Sequence, residues 1–264
     1  MHEFHLDTDR YFMMQKSVCE EYIIPFIEKI KPLGRDAKIL EIGCGAAGVL
    51  SAFLEKGHKG YGVDLDGNAL NYARKRLSNY IETEQLTLID DDIFQVDFKT
   101  GFPVKFDIII LKDVIEHIHG QEILLEKLHS LLAPSGLIFL GFPPWQMPFG
   151  GHQQICRSKI LSRIPYFHLL PAKLYKRILD TFNEGSHHLC EIKETGISIE
   201  RFEKLVKKTD YKIAGRDFYV INPIYKYKFN MKARKQLALI GAIPYLRNFL
   251  TTCAFYLLQE HKTT

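Results

Sequence analysis

Apolar residues along this chain follow two rhythms. Short runs, KILEI (38–42), GYGVDL (60–65), LTLI (86–89), FDIIIL (106–111) and LIFLGF (137–142), are almost continuous in Ile, Leu, Val and Phe. Between them, stretches around 47–56, 67–80 and 121–132 space their apolar residues at helical intervals. Continuous apolar strands separated by helices predict a parallel sheet covered on both faces. Its crossovers should be right-handed. KIAGRDFYVI (212–221) predicts a sixth strand and FLTTCAFYLLQ, near the C-terminus, a seventh. The expected fold class is therefore α/β, a doubly wound, seven-stranded, mostly parallel sheet. Such a sheet binds its ligand beyond the carboxyl ends of the strands.

The same pattern divides the chain. Residues 1–35 form an N-terminal helical segment, since SVCEEYIIPFIEKI is amphipathic and Pro32 and Gly34 end it. Residues 36–142 carry the first five strands. Over 143–200 the rhythm breaks: FPPWQMPFGGHQQ is rich in Pro and Gly, and Pro165 and Pro171 interrupt the helices that follow. This reads as an irregular, helical cap. Residues 201–264 return to the sheet with a basic insertion. Ser198 caps the helix SIERFEKLVKKT, whose last turn holds Lys207 and Lys208. Leu237 to Leu258 is long enough to raise a membrane-spanning or membrane-lying reading. Gly241, Pro244, Arg247 and Asn248 interrupt it, and a final strand is the economical expectation.

Composition narrows the class. With 46% hydrophobic and 25% charged residues, 264 residues suffice for a large core without staples. The five cysteines are scattered with no CxxC pair, which excludes a disulfide framework or thiolate zinc site and fits a reducing cytoplasm. MHEFHLDTDRYF lacks the apolar stretch of a secretory signal. The net charge of +4 is unevenly placed. Residues 211–264 hold nine Lys and Arg against Asp217 and Glu260, a net +7. Either that segment is a solvated surface, or it meets phosphate, a membrane surface or an anionic acceptor.

The chemistry starts at KILEIGCGAAGVL. Gly43, Gly45 and Gly48 follow the first strand and open a helix, where glycine lets the backbone turn and approach a ligand closely. Several nucleotide-binding classes share this pattern. Glu41 precedes the glycines, and Asp64 ends the second strand where an acid can hold both ribose hydroxyls. The third strand ends in Asp91, Asp92 and Ile93, a carboxylate for an adenine amine and an aliphatic cover for its ring. No Lys or Arg stands in the glycine turn, so pyrophosphate would be poorly served. A rim this acidic suits a cationic cofactor.

In order and spacing, ILEIGCGAAG, YGVDLD, IDDDIF, FDIIILKDVIEH and LLAPSGLIFLGFP resemble the successive motifs of class I S-adenosylmethionine-dependent methyltransferases. The resemblance covers about residues 36–143 and implies their Rossmann-like fold. It implies that Glu41, Gly43 and Gly45 lie against the methionine part of S-adenosylmethionine. Asp64 would then hold the ribose and Leu65 pack on the adenine. Asp92 and Ile93 would address the adenine amine and ring, and Lys112 contribute backbone beside the methionine.

LKDVIEHIHG (111–120) then falls where the methyl group would point. Asp113, Glu116 and His117 stand at i, i+3 and i+4, one face of a helical turn. Three readings are open. His117 is a general base oriented by Glu116 or Asp113. Alternatively, Asp113, Glu116, His117 and His152 of PFGGHQQ hold Mg²⁺, Mn²⁺ or Zn²⁺, which would lower the pKa of an acceptor hydroxyl. Here the sequence resembles the ubiquinone-biosynthesis O-methyltransferases, whose relatives carry an acid-x-x-Glu-His run and a later Gly-x-His loop. Asp113 stands where Glu is usual in them. In the third reading, the Glu-His pair merely caps the turn.

For the acceptor, Trp145, Met147, Phe149, Tyr166 and Phe167 can line an apolar pocket or pack the cap itself. Tyr11 and Phe12 can close over the cofactor. YKYKFNMKARK (225–235) interleaves aromatics and cations, as nucleic-acid, membrane-interface and lipid-linked surfaces do. No appended RNA-binding motif is visible, so a small-molecule, lipid-linked or glycan acceptor is expected, with peripheral membrane contact through the basic segment. The competing classes are a non-catalytic interaction module, an RNA methyltransferase and a dehydrogenase.

Overall fold

The computed structural model describes residues 7–98 and 105–261. Its strands are β1 Lys38–Ile42, β2 Lys59–Asp64, β3 Leu86–Asp90, β4 Phe106–Lys112, β5 Leu132–Phe142, β6 Tyr211–Ile221, β7 Arg234–Lys235 and β8 Cys253–Glu260. They form one sheet in the order β3-β2-β1-β4-β5-β8-β6-β7. The first five pair parallel, and β8, β6 and β7 join antiparallel. The count among the described residues is eight rather than seven. The extra strand is a two-residue edge pairing of Arg234 and Lys235 with β6, too short to leave a periodic signal.

Strand alternation divides the core into two layers. Ile39, Ile108, Ile110, Phe139 and Phe255 face one side, under the N-terminal helices and Gly48–Leu54. Leu40, Ile42, Ile109, Leu111, Leu140 and Tyr256 face the other, under Gln121–His129 and Ile199–Lys208. Each fully buried Ile or Leu contributes about 1.5–3 kcal/mol, so a one-residue slip of β4 would be heavily penalised.

Within the N-terminal segment the helix starts earlier than the amphipathic run SVCEEYIIPFIEKI. Asp7 accepts a hydrogen bond from the Arg10 backbone and starts a helix at Thr8. That helix runs through a π turn at Cys19–Ile23 into Ile24–Glu28. The apolar run from 237 to 258 is divided. Ala238–Gly241 and Leu246–Leu250 are short helices, and Cys253–Leu258 is buried between β5 and β6. The final strand is as expected and the spanning reading is overturned. Among the described residues no helix is long and apolar enough to cross a membrane. The physical reason is that β8 supplies both sheet faces with side chains, Phe255 to one and Tyr256 to the other.

Candidate active site

Sheet order reverses between β1 and β4, and the sequence's polar groups converge there. Ile42 pairs with Leu111, so the turn after β1 lies beside the loop after β4. Gly43 has φ +70°, and a Cβ there would sit 2.4 Å from Val114 Cγ2. At Gly48 a Cβ would sit 2.6 Å from the Phe12 carbonyl oxygen. These glycines therefore admit both neighbouring segments as well as a ligand.

A cavity of about 170 Å³ opens over the turn. Glu41, Gly43, Gly45 and Lys112 line it, with Tyr11, Gln15 and Asp113. Glu41 is 3% exposed, its Oε2 lacks a hydrogen-bond partner, and burial pushes its pKa well above the usual carboxylate range. Asp64 Oδ2 accepts the Gly45 N–H at 2.6 Å, and Oδ1 accepts that of Asp66 at 2.8 Å. The acid of β2 is thus clamped to the glycine turn. Leu65 is 72% exposed, open to a ring. Asp92 lies one residue beyond the Asp91 N–H that bonds Asp64 O, and its Oδ1 accepts the Phe94 N–H at 2.9 Å. Ile93 departs from expectation. It is 5% exposed and packed into the core, with little surface left to cover a ring.

Lys112 also does more than lend backbone. Burial opposes its charge, but the adjacent Asp113 carboxylate overcomes this and raises its pKa. The same ion pair outweighs desolvation at Asp113 and lowers its pKa.

That pair corrects the four-ligand set. Asp113 adopts φ +57°, which bends the chain sharply after β4, and its carboxylate is taken by Lys112. One turn of 3₁₀ helix, Ile115–His117, follows. The turn brings Glu116 Oε1 within 3.9 Å of His117 Nε2. His152, at φ +54°, puts its ring 4.9 Å from that of His117. One ligand atom each from Glu116, His117 and His152 lie within 4.8 Å of one another. His119 is elsewhere, 3.7 Å from Glu191.

Electrostatically this trio is close to neutral. Burial, then the neighbouring Asp113, pushes the Glu116 pKa well above the carboxylate range, and neither of its side-chain oxygens finds a hydrogen-bond partner. Burial lowers the His117 pKa, with Asp113 opposing. Burial and His117 lower that of His152 to about 4. In both imidazoles burial thus favours the uncharged form.

A second cavity, about 340 Å³, contains the trio. Tyr11 and Asp113 line both cavities, so the two spaces adjoin there. Of the cap aromatics and Met147, Met147 and Phe149 reach this cavity. Phe167 packs on Tyr175 in the cap's own cluster, and Trp145 lies against His168. The remaining wall includes residues that sequence reasoning did not assign to the site, among them Asn222, Tyr225, Lys228 and Thr252. Burial lowers the Lys228 pKa to about 8, with Asp113 opposing, and its Nζ lies 5.8 Å from the Tyr11 ring centre. The aromatic-cationic alternation of YKYKF was the available signal.

A methyltransferase domain family model matches residues 40–138. The chain is 28% identical to the ubiquinone biosynthesis O-methyltransferase of Actinobacillus pleuropneumoniae, over 39% of this chain and 44% of that protein. The chain thus spans under half the length of such relatives. It is 29% identical to an uncharacterised Rickettsia prowazekii protein, over 67% of this chain and 82% of the relative. PKMT2 from Rickettsia typhi, solved in complex with S-adenosylhomocysteine, shares the fold. Its TM-score is 0.55 at 17% identity, over 91% of this chain and 53% of that one.

Residues 40–138 match a methyltransferase domain, and the fold around them is that of class I S-adenosylmethionine-dependent methyltransferases.

The donor set of the smaller cavity suits S-adenosylmethionine. The unpartnered Glu41 oxygen can accept from the cofactor's amino group, and the half-buried Asp113 carboxylate lines both this cavity and the larger one. In the methyltransferase, a sulfonium bound over the glycine turn would face acids on two sides.

Proposed function

We propose that this methyltransferase acts on an oxygen of a small-molecule, lipid-like or glycan acceptor held in the 340 Å³ cavity. The observation that carries this is the junction at Tyr11 and Asp113, with the Glu116-His117-His152 trio on its acceptor side. Methyl transfer is an in-line displacement, so most of catalysis is positioning the two reactants. In this reading His117 takes the hydroxyl proton as the oxygen attacks the methyl carbon. Glu116 orients it from 3.9 Å, and His152 packs its ring against that of His117. Asp64, Leu65 and Asp92 hold the nucleoside, and Lys112 stays paired with Asp113. The likeness to ubiquinone biosynthesis O-methyltransferases supports oxygen as the acceptor atom. The test is transfer from labelled S-adenosylmethionine to phenols with and without an alkyl chain. A methyl ether that disappears in His117→Ala is expected; methylation of nitrogen or carbon instead would overturn it.

A second reading has its own support. Two imidazoles and a buried carboxyl with no partner for either oxygen make a plausible N,N,O donor set for Mn²⁺ or Zn²⁺, and a poorer one for Mg²⁺. Glu116, His117 and His152 would hold the ion, which would acidify an acceptor hydroxyl. Calorimetry with Mn²⁺ decides it: heat lost in both Glu116→Gln and His152→Ala supports a metal. Full activity after chelation removes it.

A further inference from the structure

The excursion between β6 and β8 has an inverted polarity. Arg247 and Asn248 are buried, Arg247 on Glu200 and Glu203 and Asn248 on Glu200. Their apolar neighbours face outward. Leu237 is 70% exposed, Leu239 83% and Tyr245 68%, and Ile243, Leu246, Phe249 and Leu250 are also exposed. A chain folding for water alone would arrange these residues the other way.

The apolar face continues onto the cap. The Tyr166 and Phe249 rings meet at 6.1 Å. Tyr166 belongs to a turn that also exposes Ile160 and Ile164. That turn belongs to the same cap segment as His152 and Ile155, which line the acceptor cavity. On the opposite wall, Phe229 is both exposed and cavity-lining, and Met231 beside it is exposed. Ile155 and Phe229 are thus both exposed and part of the cavity wall.

Charge selects the partner. No Asp or Glu occurs from residue 127 to 179 or from 218 to 259. Arg157, Lys159 and Arg163 of the cap and Lys232 and Arg234 of the excursion are exposed among these apolar side chains. The acids that reach these segments are engaged: Glu184 accepts the Arg157 and Ser158 N–H groups, Glu200 that of Tyr245, and Asp217 pairs with Lys235. Leucines and a tyrosine flanked by exposed cations match an anionic lipid surface, where apolar groups enter the headgroup boundary and each cation adds attraction.

We propose that the cap turn 157–166 and the excursion 229–250 together dock on an anionic bilayer, with the acceptor cavity opening beside the lipid. This goes beyond the proposed O-methylation and is read without turnover, so failure of one leaves the other standing. The experiment is co-sedimentation of the full chain with phosphatidylcholine–phosphatidylglycerol vesicles against phosphatidylcholine alone. Binding should require the anionic lipid and weaken with salt. Leu237→Asp with Leu239→Asp should weaken it at least about tenfold, and Lys232→Glu with Arg234→Glu several-fold. Both variants change exposed residues, so melting and its shift with S-adenosylhomocysteine should be unchanged. Absence of binding to anionic vesicles, or equal binding by the leucine variant, overturns the proposal. So does a concentration-dependent dimer that the leucine variant dissolves without any vesicle binding, which would make this face a contact between copies.

Discussion

The turn around Gly43 and the excursion around Leu239 invert each other's logic. At the β1–β4 junction, carboxyls and cations sit in the interior while backbone wraps them. Glu41 and Glu116 are each 3% exposed, and Lys112 is buried against Asp113. At the excursion, leucines face water while Arg247 is sealed beneath them. Neither arrangement favours stability by itself. The first stores desolvated polar groups where a charged cofactor and a reacting oxygen meet. The second leaves apolar surface open to water. The proposed cofactor and lipid contacts would account for polar groups inside in one region and apolar groups outside in the other.

Removing the base should give the largest effect. His117→Ala should lower kcat by roughly a hundredfold to ten-thousandfold, about 3–5 kcal/mol, while S-adenosylhomocysteine affinity stays within a factor of two or so. Stopped-point assays with labelled cofactor, paired with calorimetry, read both; an equal loss in binding would make the residue structural. Next comes the sealed arginine. Arg247→Ala strands two carboxylates and should cost about 3 kcal/mol in urea unfolding. Asp64→Ala follows, removing the ribose acceptor and the clamp on Gly45. A loss of about 2 kcal/mol, some thirtyfold in S-adenosylhomocysteine affinity, is expected.

The cap offers a smaller, pH-dependent effect. His168 is buried with its Nε2 on the Trp145 carbonyl. Burial lowers its pKa to about 4, although that hydrogen bond raises it. The unfolded chain, with a histidine pKa near 6.5, binds the proton first. Between about pH 6.5 and 4 the unfolded state therefore holds more protons, and stability falls as pH falls, by about 1–2 kcal/mol. His168→Gln should flatten that slope in denaturant titrations at pH 7 and pH 5. Smallest of all, Leu239→Ser should change stability by less than about 0.5 kcal/mol, against the large loss at Arg247 eight residues on.

The two regions also differ in how they could be read. In the first half, each strand's alternation and its terminal turn are local, so Glu41, Gly43, Gly45 and Asp64 stood out from their immediate neighbours. Ile93 was misjudged because a residue after a strand can turn toward a ligand or into the core, and the local pattern is the same. In the second half, the alternation of YKYKF marked something unusual. Its destination depended on β6 and β8 pairing across more than thirty residues of chain. Asp113 satisfied the i, i+3, i+4 spacing for a shared face. Its positive φ and the neighbouring lysine took it out of the ligand set.

By itself, the order of residues determined a parallel sheet with a glycine turn and acids at the strand ends, because burial period and turn chemistry act over a few residues. Only the tertiary structure decided that Asp113 pairs with Lys112 and leaves Glu116, His117 and His152 together, that Lys228 lines the larger cavity, and that leucines near the C-terminus face outward. Those outcomes rest on contacts between distant segments, whose partners are selected by sheet register and packing and leave no periodic trace in the chain.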